Sequence, residues 1–267
     1  MSSASKRHAL LYLWDLRTFY VGELFELQSM HTAASCFVMG LEKPFEIVDV
    51  KSGRSAITRS ALVPADVRVN VYSGGQIMAN CFLDPFGRDL RAMQSAMQTD
   101  LGNVRVGSVY EARQLEQFAA MYRDIPAADQ AYAILEHSIL PAVDMGGASV
   151  DARLRQAVQL IKQDPLSNMS NQVLAKQVGW SESQLQRQFR QVIGLPVRRY
   201  RLWHRLFVTA GYMAYGKSLT EAALAAGFAD SPHFSRTFRS MLGMTPSFVF
   251  QRHSRLMING VHFDQSG

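Results

Sequence analysis

The sequence is poor in cysteine, with only Cys36 and Cys81 and no CxxC pair. A zinc site built on cysteines is therefore excluded, because such a site takes several thiolates from closely spaced positions. Both cysteines stand in apolar surroundings, which is typical of buried, reduced thiols.

Long apolar runs and the motifs of common enzyme classes are also missing. No apolar stretch approaches the roughly 18 residues that a membrane-spanning helix needs. The apolar run 9–14 follows Lys6-Arg7, as in a secretion signal, but Asp15 and Arg17 break it. We therefore expect a cytoplasmic protein. A P-loop, a GxSxG elbow and an HExxH helix are absent, so we do not expect an enzyme.

Negative charge is scarce in the C-terminal half. Residues 151–267 hold 15 Lys+Arg, of which 12 are arginine, against 6 Asp+Glu, whereas residues 1–150 hold 13 against 16. The halves therefore carry net charges of +9 and −3, which together give +6. A basic half joined to an acidic half indicates that one half meets a polyanion.

The N-terminal half changes from a strand pattern to a helix pattern near residue 86. Short apolar runs separated by turn residues predict a small sandwich or barrel with strands at 19–27, 36–41, 45–50, 61–63, 67–72 and 77–83. Apolar spacing of three and four then predicts helices through Leu90, Met93, Met97 and Leu101, at 110–122 and at 129–140. The run 144–150 is the best candidate for a linker.

The C-terminal half contains an internal repeat. Each copy has a Gly-aromatic turn after a short helix, then Arg-x-Phe-Arg inside a second helix, then a glycine. These lie at Gly179-Trp180, 187–190 and Gly194, and again at Gly227-Phe228, 236–239 and Gly243. The predicted helices are 151–163, 171–178, 182–193, 197–215, 219–226, 231–242 and 246–252.

Local chemistry explains the repeat. The glycines after the first helices supply the left-handed backbone of a sharp turn, and Trp180 and Phe228 are expected to fill the angle between helices. Capping residues begin the helices, at Ser181 with Gln184, at Ser218 with Glu221, and at Asp230 or Ser231 before Pro232. A short helix, a glycine turn and a capped second helix form a helix-turn-helix unit.

The second helix of each unit is predicted to be amphipathic. The apolar stripes are Leu185, Phe189 and Val192, and Phe234, Phe238 and Met241. The opposite sides carry Ser183, Gln186, Arg187 and Arg190, and Pro232, Ser235, Arg236 and Arg239. For a single helix, an ordinary solvated face would be the better interpretation. Two copies in matching register within a +9 segment favour DNA contact instead.

Arg187 and Arg236 are the strongest candidates for base or phosphate contacts. An arginine can bind guanine, and a glutamine adenine, through two hydrogen bonds, and each good pair contributes roughly 1–3 kcal/mol of discrimination. Arg190 and Arg239 lie one turn further along, and we expect them at phosphates or acidic side chains.

At these residues the sequence resembles the AraC/XylS family of bacterial transcription regulators, over roughly residues 151 to 250. The matching residues include Leu174-Ala175, Val178-Gly179, Ser181, Leu185-Gln186-Arg187, Phe189, Gly194, Pro196, Tyr200, Arg201, Arg205, 218–223, 226–231, 233–236, Phe238-Arg239, Gly243 and Thr245-Pro246. The stretch 226–246 alone is specific enough to carry the resemblance.

The resemblance implies a seven-helix domain whose long helix, here about 197–215, holds two recognition helices in successive major-groove segments, roughly 34 Å apart. By position, the base-reading residues are Ser183, Gln186 and Arg187 in the first unit, and Ser231, His233 and Arg236 in the second. Tyr200 and Trp203 are expected in the core. The implied partners are double-stranded DNA and RNA polymerase.

The N-terminal half resembles the family's effector domains more loosely. The turn 42–46 is similar to that of a small cupin-like barrel, which can hold a small ligand in its mouth or interior. A cupin metal site needs several histidines, but none lies between residues 32 and 136. We therefore expect neither a metal nor a cofactor, and a structural or solvated His31. The helices at about 107–140 form a homodimer interface, as in relatives, or simply pack against the barrel.

The sequence thus predicts an α+β protein of two domains. Residues 1–143 form a cupin-like effector-sensing or dimerisation domain, 144–150 a linker, 151–252 an all-α AraC-type DNA-binding domain, and 253–267 a tail. The predicted function is a sequence-specific, effector-responsive transcription regulator. The alternative is a non-specific or architectural DNA-binding protein without an effector, which would favour lysine-rich faces.

Overall fold

The computed structural model describes residues 8–14, 17–83, 86, 88–139, 150–167, 169–250 and 254–258. The predicted linker 144–150 lies outside these ranges except for Val150. None of the helices in these ranges combines the length with the apolar character that a membrane span requires.

Two β-sheets form the N-terminal domain. The strands are β1 Ala9–Leu13, β2 Thr18–Glu23, β3 Glu26–His31, β4 Cys36–Gly40, β5 Phe45–Asp49, β6 Ser55–Thr58, β7 Ser60–Val63, β8 Arg68–Tyr72, β9 Ile77–Phe82, β10 Met97–Leu101 and β11 Val104–Ser108. A C-terminal strand, β12 Ser254–Ile258, pairs in parallel with β1. The sheet orders are β10-β11-β7-β4-β9-β2-β1-β12 and β3-β8-β5-β6.

The burial patterns of the strands reflect three layers. In β5 the burial alternates, with Phe45 and Ile47 inside and Glu46 exposed, because the four-stranded sheet covers the core with one face. All residues of the central strands β4 and β9 are buried, because the eight-stranded sheet is covered on both faces. On one face Val38 joins the core shared with the smaller sheet, and on the other Phe37 packs with Phe118 of a helix.

Three helices cover the outer face of the large sheet. They are α1 Arg88–Ala96, α2 Glu111–Asp124 and α3 Ala128–Ile139. The predicted helices 110–122 and 129–140 correspond to α2 and α3. Phe118 and Met121 of α2 and Leu135 of α3 are buried against the sheet.

The prediction of a helix that continues through Met97 and Leu101 is wrong beyond Ala96. Met97–Leu101 is strand β10, which pairs with β11. A spacing of four residues places side chains on one face in a strand as well as in a helix, so periodicity could not separate the two. The hairpin is held by Asp49, whose Oδ2 accepts hydrogen bonds from the Asn103 backbone N–H at 2.9 Å and from its side chain at 2.8 Å.

Seven α-helices are found in the described part of the C-terminal domain, as the family resemblance implies. They are α4 Ala152–Gln163, α5 Asn171–Gln177, α6 Glu182–Gln188, α7 Val197–Ala214, α8 Leu219–Ala225, α9 Ser231–Leu242 and α10 Pro246–Val249. A π-helical turn, Phe189–Ile193, extends α6. Every helix begins within one residue of its predicted position, and β12 falls within the segment predicted as a tail.

Leu185 is fully buried beneath the first unit, so Leu185→Asp places a charge in an apolar core. We expect this variant to lose more than about 3 kcal/mol of stability, enough to unfold the unit. The measurement is thermal unfolding followed by circular dichroism. Gln191→Asp, at an exposed position of the π-helical turn, is the matched control and is expected to melt as wild type does. A normal melting curve for Leu185→Asp would contradict the assigned faces.

Candidate nucleic-acid interface

The turns of the two helix-turn-helix units have the predicted geometry. Gly179 and Gly227, which follow α5 and α8, have φ of +70° and +88°, in the left-handed region that favours glycine. Trp180 and Phe228, which follow them, are buried, and the Phe228 ring packs against Phe234 with centroids 5.2 Å apart. Each turn therefore holds its two helices at a fixed angle around an aromatic plug.

The predicted caps are also confirmed. Ser181 donates its N–H to Gln184 Oε1 at 2.8 Å and accepts from the Gln184 backbone N–H at 3.3 Å. Ser218 and Glu221 form the equivalent box at the start of α8. Of the two candidates for α9, Asp230 is the cap, and its Oδ1 accepts from the His233 N–H at 2.6 Å.

The buried stripes of the second helices match the prediction except at one position. Leu185, Phe189 and, in α9, Phe234 are fully buried. At the end of the first stripe Ile193 is buried, whereas Val192 is only half-buried. The π-helical turn accounts for this, because its extra residue per turn shifts the inward position by one.

In the first unit the predicted DNA-contacting side chains lie on the side opposite the buried stripe. Ser183, Arg187 and Arg190 are exposed and Gln186 is half-buried. Gln186 Nε2 donates to Glu182 Oε1 at 2.9 Å, one turn earlier. A contact from Gln186 to adenine would therefore replace or share this intrahelical hydrogen bond.

In the second unit Arg236 and Arg239 are exposed, and Ser231 and His233 are half-buried. The His233 ring packs edge-on against Phe228 with centroids 5.5 Å apart. Its Nδ1 is buried and, among the described residues, has no hydrogen-bond partner. A base contact from His233 would therefore use Nε2.

Four guanidinium groups remain available on these two faces, those of Arg187, Arg190, Arg236 and Arg239. Within the described part of the chain, none of them is recorded in a hydrogen bond or an ion pair. All four side chains are exposed in the presence of the N-terminal domain, which therefore does not cover them. The structure thus presents two short basic faces, each fixed from behind by its own apolar stripe.

Other arginines of the basic half serve the fold instead. Arg205 of α7 donates from Nε to the Pro165 carbonyl and from Nη1 to the Gly227 carbonyl, both at 2.8 Å. Arg201, one turn earlier, donates to the Met169 carbonyl. Burial lowers the pKa of both guanidiniums. The sequence showed the two positive charges but gave no indication that carbonyl oxygens of loops would accept hydrogen bonds from these side chains.

The long helix α7 also faces the N-terminal domain. Tyr200 is buried, and Trp203 packs against Phe82 of β9 with ring centroids 4.9 Å apart. Tyr200 therefore lies in the core, as predicted, whereas Trp203 is half-buried and packs against the core from its edge. His204 is buried as well, with Nε2 3.3 Å from the Lys162 carbonyl oxygen.

Two cavities that open to solvent lie between the domains, with about 660 and 500 Å³ of space when their open mouths are included. Both are lined by Thr18, Phe82, Trp203 and Phe207, so together they form one interdomain cleft. The larger cavity also meets Arg17, Lys162 and His204. The smaller has mostly apolar walls, from Leu11, Leu13, Leu206, Ala210, Phe238, Leu242 and Phe250. The sequence gave no indication of this cleft, because its two sides come from distant segments.

Metal-binding chemistry is not supported by the described residues, among which no group of three or more His, Cys, Asp or Glu could hold an ion. Cys36 and Cys81 are free and buried, as predicted. Burial raises the pKa of both thiols, that of Cys81 to about 12, so they stay protonated and unreactive at neutral pH.

A long helix carrying two capped helix-turn-helix units defines a fold of the nucleic-acid-binding class. Residues 174–252 match the family model described as a helix-turn-helix domain. The chain is 31% identical over 112 residues to the HTH-type transcriptional regulator ArgR of Pseudomonas aeruginosa. It is 32% identical over 107 residues to the HTH-type transcriptional activator RhaS of Escherichia fergusonii. The C-terminal domain is therefore a helix-turn-helix domain similar to those of named transcription regulators, which agrees with the predicted family resemblance.

These alignments cover 42% and 40% of this chain but 34% and 38% of the relatives, so the match spans little more than a third of each. Both relatives are named as transcription regulators and neither as an enzyme.

The fold as a whole is similar to that of ToxT from Vibrio cholerae. One ToxT structure has a TM-score of 0.59 at 11% identity, over 88% of this chain and 97% of ToxT. A ToxT structure with bound unsaturated fatty acid has a TM-score of 0.53 at 15% identity, over 93% and 96%. At such identities the likeness establishes the two-domain α+β fold that the sequence predicted.

Arg205→Gln is expected to destabilise the C-terminal domain by about 1–3 kcal/mol, because the Pro165 and Gly227 carbonyls lose a charged donor. The measurement is chemical denaturation of the full chain. Arg198→Gln is the matched control, since Arg198 is exposed on the same helix and its loss is expected to leave stability within about 0.5 kcal/mol of wild type. Equal stabilities for the two variants would show that the carbonyl contacts contribute nothing.

Proposed function

We propose that this protein is a sequence-specific DNA-binding transcription regulator that reads two adjacent major-groove segments. The observation that carries the proposal is the pair of exposed arginine-bearing faces on α6 and α9, each opposite a buried stripe and in the same register of a repeat. The likeness to regulators named ArgR and RhaS over the same region supports it.

The eight predicted side chains would divide by role. Ser183, Gln186 and Arg187 would contact base edges in one groove segment, and Ser231, His233 and Arg236 in the next. Arg190 and Arg239, at the far ends of their faces, would bind phosphates. The polar residues beside the arginines can form hydrogen bonds with base edges. An architectural protein would be expected to present a lysine-rich surface instead.

The proposed division of labour follows the predicted boundaries. Residues 151–252 would bind DNA, 1–143 would sense an effector and 144–150 would link the two. The predicted tail 253–267 would return to the N-terminal sheet through β12. We place the protein in the cytoplasm, where it would contact RNA polymerase. Homodimer contacts would use the outward faces of α2 and α3, because their inward faces are already buried against the sheet.

The effector site that we favour is the interdomain cleft. Ligand bound there would touch β2 and β9 on one side and α7 on the other, and so would bear directly on the helix that joins the two units. The apolar walls suit a mainly apolar molecule. Arg17 is already paired with Asp89 and Glu136, so an anionic group of the ligand would lie towards Lys162 and His204. The bound fatty acid in ToxT is consistent with this class of ligand.

Arg187→Ala and Arg236→Ala are expected to abolish specific DNA binding, because each removes a guanidinium that makes base or phosphate contacts. The operator would first be found by genome-wide mapping of bound sites, and affinity then measured by fluorescence anisotropy at fixed salt. Arg54→Ala, at an exposed position of the N-terminal domain, is the control and is expected to bind normally.

Circular dichroism would verify that both variants remain folded, since these side chains are exposed. Normal operator binding by either variant would refute the proposed register. Equal affinity of wild type for operator and for unrelated duplex would favour the non-specific alternative, in which affinity follows salt alone.

Tryptophan fluorescence tests the cleft. Trp14 and Trp203 line it, whereas Trp180 lies in the first turn. Decanoate below its micellar concentration is expected to give a saturable change in emission, because it would enter beside Trp203. The change would persist in Trp180→Phe and fall in Trp203→Phe to the part contributed by Trp14. No saturable change in wild type, or equal changes in both variants, would exclude an apolar acid from this site.

A further inference from the structure

The N-terminal domain contacts both helix-turn-helix units at the same point of their repeat. Gly194 ends the π-helical turn after α6 and Gly243 ends α9, with φ of +82° and +73°. A Cβ placed on Gly194 would lie 3.1 Å from Ala65 Cβ. A Cβ placed on Gly243 would lie 3.1 Å from Leu27 Cβ. The β3 strand and the loop before β8 are therefore packed against the ends of both recognition helices.

A polar cluster joins the domains beside the first of these contacts. Arg199, in the first turn of α7, donates from Nη1 to Asp66 Oδ1 at 2.9 Å and from Nη2 to the carbonyl oxygen of His31. The same Nη1 lies 2.7 Å from Nδ1 and 3.0 Å from Nε2 of His31, and His31 Nε2 lies 2.8 Å from Asp66 Oδ1. Arg199 and His31 are largely buried, with side chains 17% and 19% exposed.

The geometry favours an uncharged His31 ring. Its Nε2–H donates to the Asp66 carboxylate, while the guanidinium Nη1 of Arg199 approaches both ring nitrogens, at 2.7 and 3.0 Å. A second proton on the ring would place two cations at this short distance. The contact between the domains would then gain the repulsion between them.

We propose that Arg199, His31 and Asp66 form a latch that holds the helix-turn-helix domain on the β3 edge of the N-terminal domain and loosens in acid. The latch goes beyond the proposed function, since it concerns the mobility of the recognition helices rather than what they read. When closed, it keeps the two units at one spacing. When open, it frees the first unit.

The pH dependence follows from the charges around the ring. Burial lowers the pKa of His31, and Arg199 and Arg68 lower it further, against an opposing effect of Asp66. A histidine whose pKa is lower in the closed state stabilises that state fully above about pH 6.5. This stabilisation is lost as the pH falls through 6.5 towards the lowered pKa.

Hydrogen–deuterium exchange of the full chain without DNA tests the latch. The reporters are the Asp66 N–H, bonded to the Thr32 carbonyl, and the Arg199 and Tyr200 N–H groups, bonded to Pro196. After correction for intrinsic rates, exchange in 64–67 and 194–200 is expected to rise about three- to fivefold from pH 7.5 to pH 5.5, as for a half-buried charge contact. His31→Gln should abolish this pH dependence, and His137→Gln, at an exposed histidine on α3, should retain it.

The latch is overturned if wild-type exchange in these segments is independent of pH, or if His31→Gln keeps the wild-type dependence. Should His31→Gln fail to fold, Asp66→Asn decides, because Asp66 is half-exposed at a φ of +66° that asparagine also tolerates. We expect this variant to exchange about threefold faster in 194–200 at pH 7.5, and an unchanged rate overturns the proposal. Since no DNA is present, either result leaves the proposed DNA-binding function to be judged separately.

Discussion

Each recognition helix has to bury an apolar stripe, and this requirement orients everything else on the helix. Leu185 and Phe234 are fully buried, and each such side chain contributes roughly 1.5–3 kcal/mol by leaving water. A rotation of the helix about its axis would expose that stripe, so the arginine side is held towards solvent by the core behind it. The direction in which Arg187 and Arg236 point is therefore a consequence of packing.

The charge of the basic half divides between two uses. The arginines on α6 and α9 face solvent. By contrast, Arg201 and Arg205 on α7 donate hydrogen bonds to carbonyl oxygens within the C-terminal domain, and Arg199 donates to the N-terminal domain. The net charge of +9 thus overstates the cations that a polyanion would meet. The same helix both joins the two units and anchors them, which explains why a cleft and a polar cluster both occur along its length.

Features set by neighbouring residues were predictable from the sequence, and features set by distant ones were not. The Ser181 cap and the turn at Gly179 depend on atoms within a few residues, so their chemistry could be read directly. Strand β10 depends on Asp49 and on pairing with β11, and the His31–Arg199 contact joins residues far apart in the chain. The replacement of Val192 by Ile193 as the buried residue lies between these cases. A π-helical turn remains helical but moves the inward-facing position by one residue.

Strand β12 gives the C-terminal residues a part in the N-terminal sheet. It is the outermost strand, and it covers the edge of β1, whose Ala-Leu-Leu-Tyr-Leu sequence is strongly apolar. Without β12, the apolar strand β1 would present a row of unpaired N–H and C=O groups to solvent. Exposed strand edges of this kind are sites through which proteins aggregate. Strand β12 thereby protects β1 from aggregation, and a protein shortened before residue 254 would keep every arginine of α6 and α9 but lose that protection.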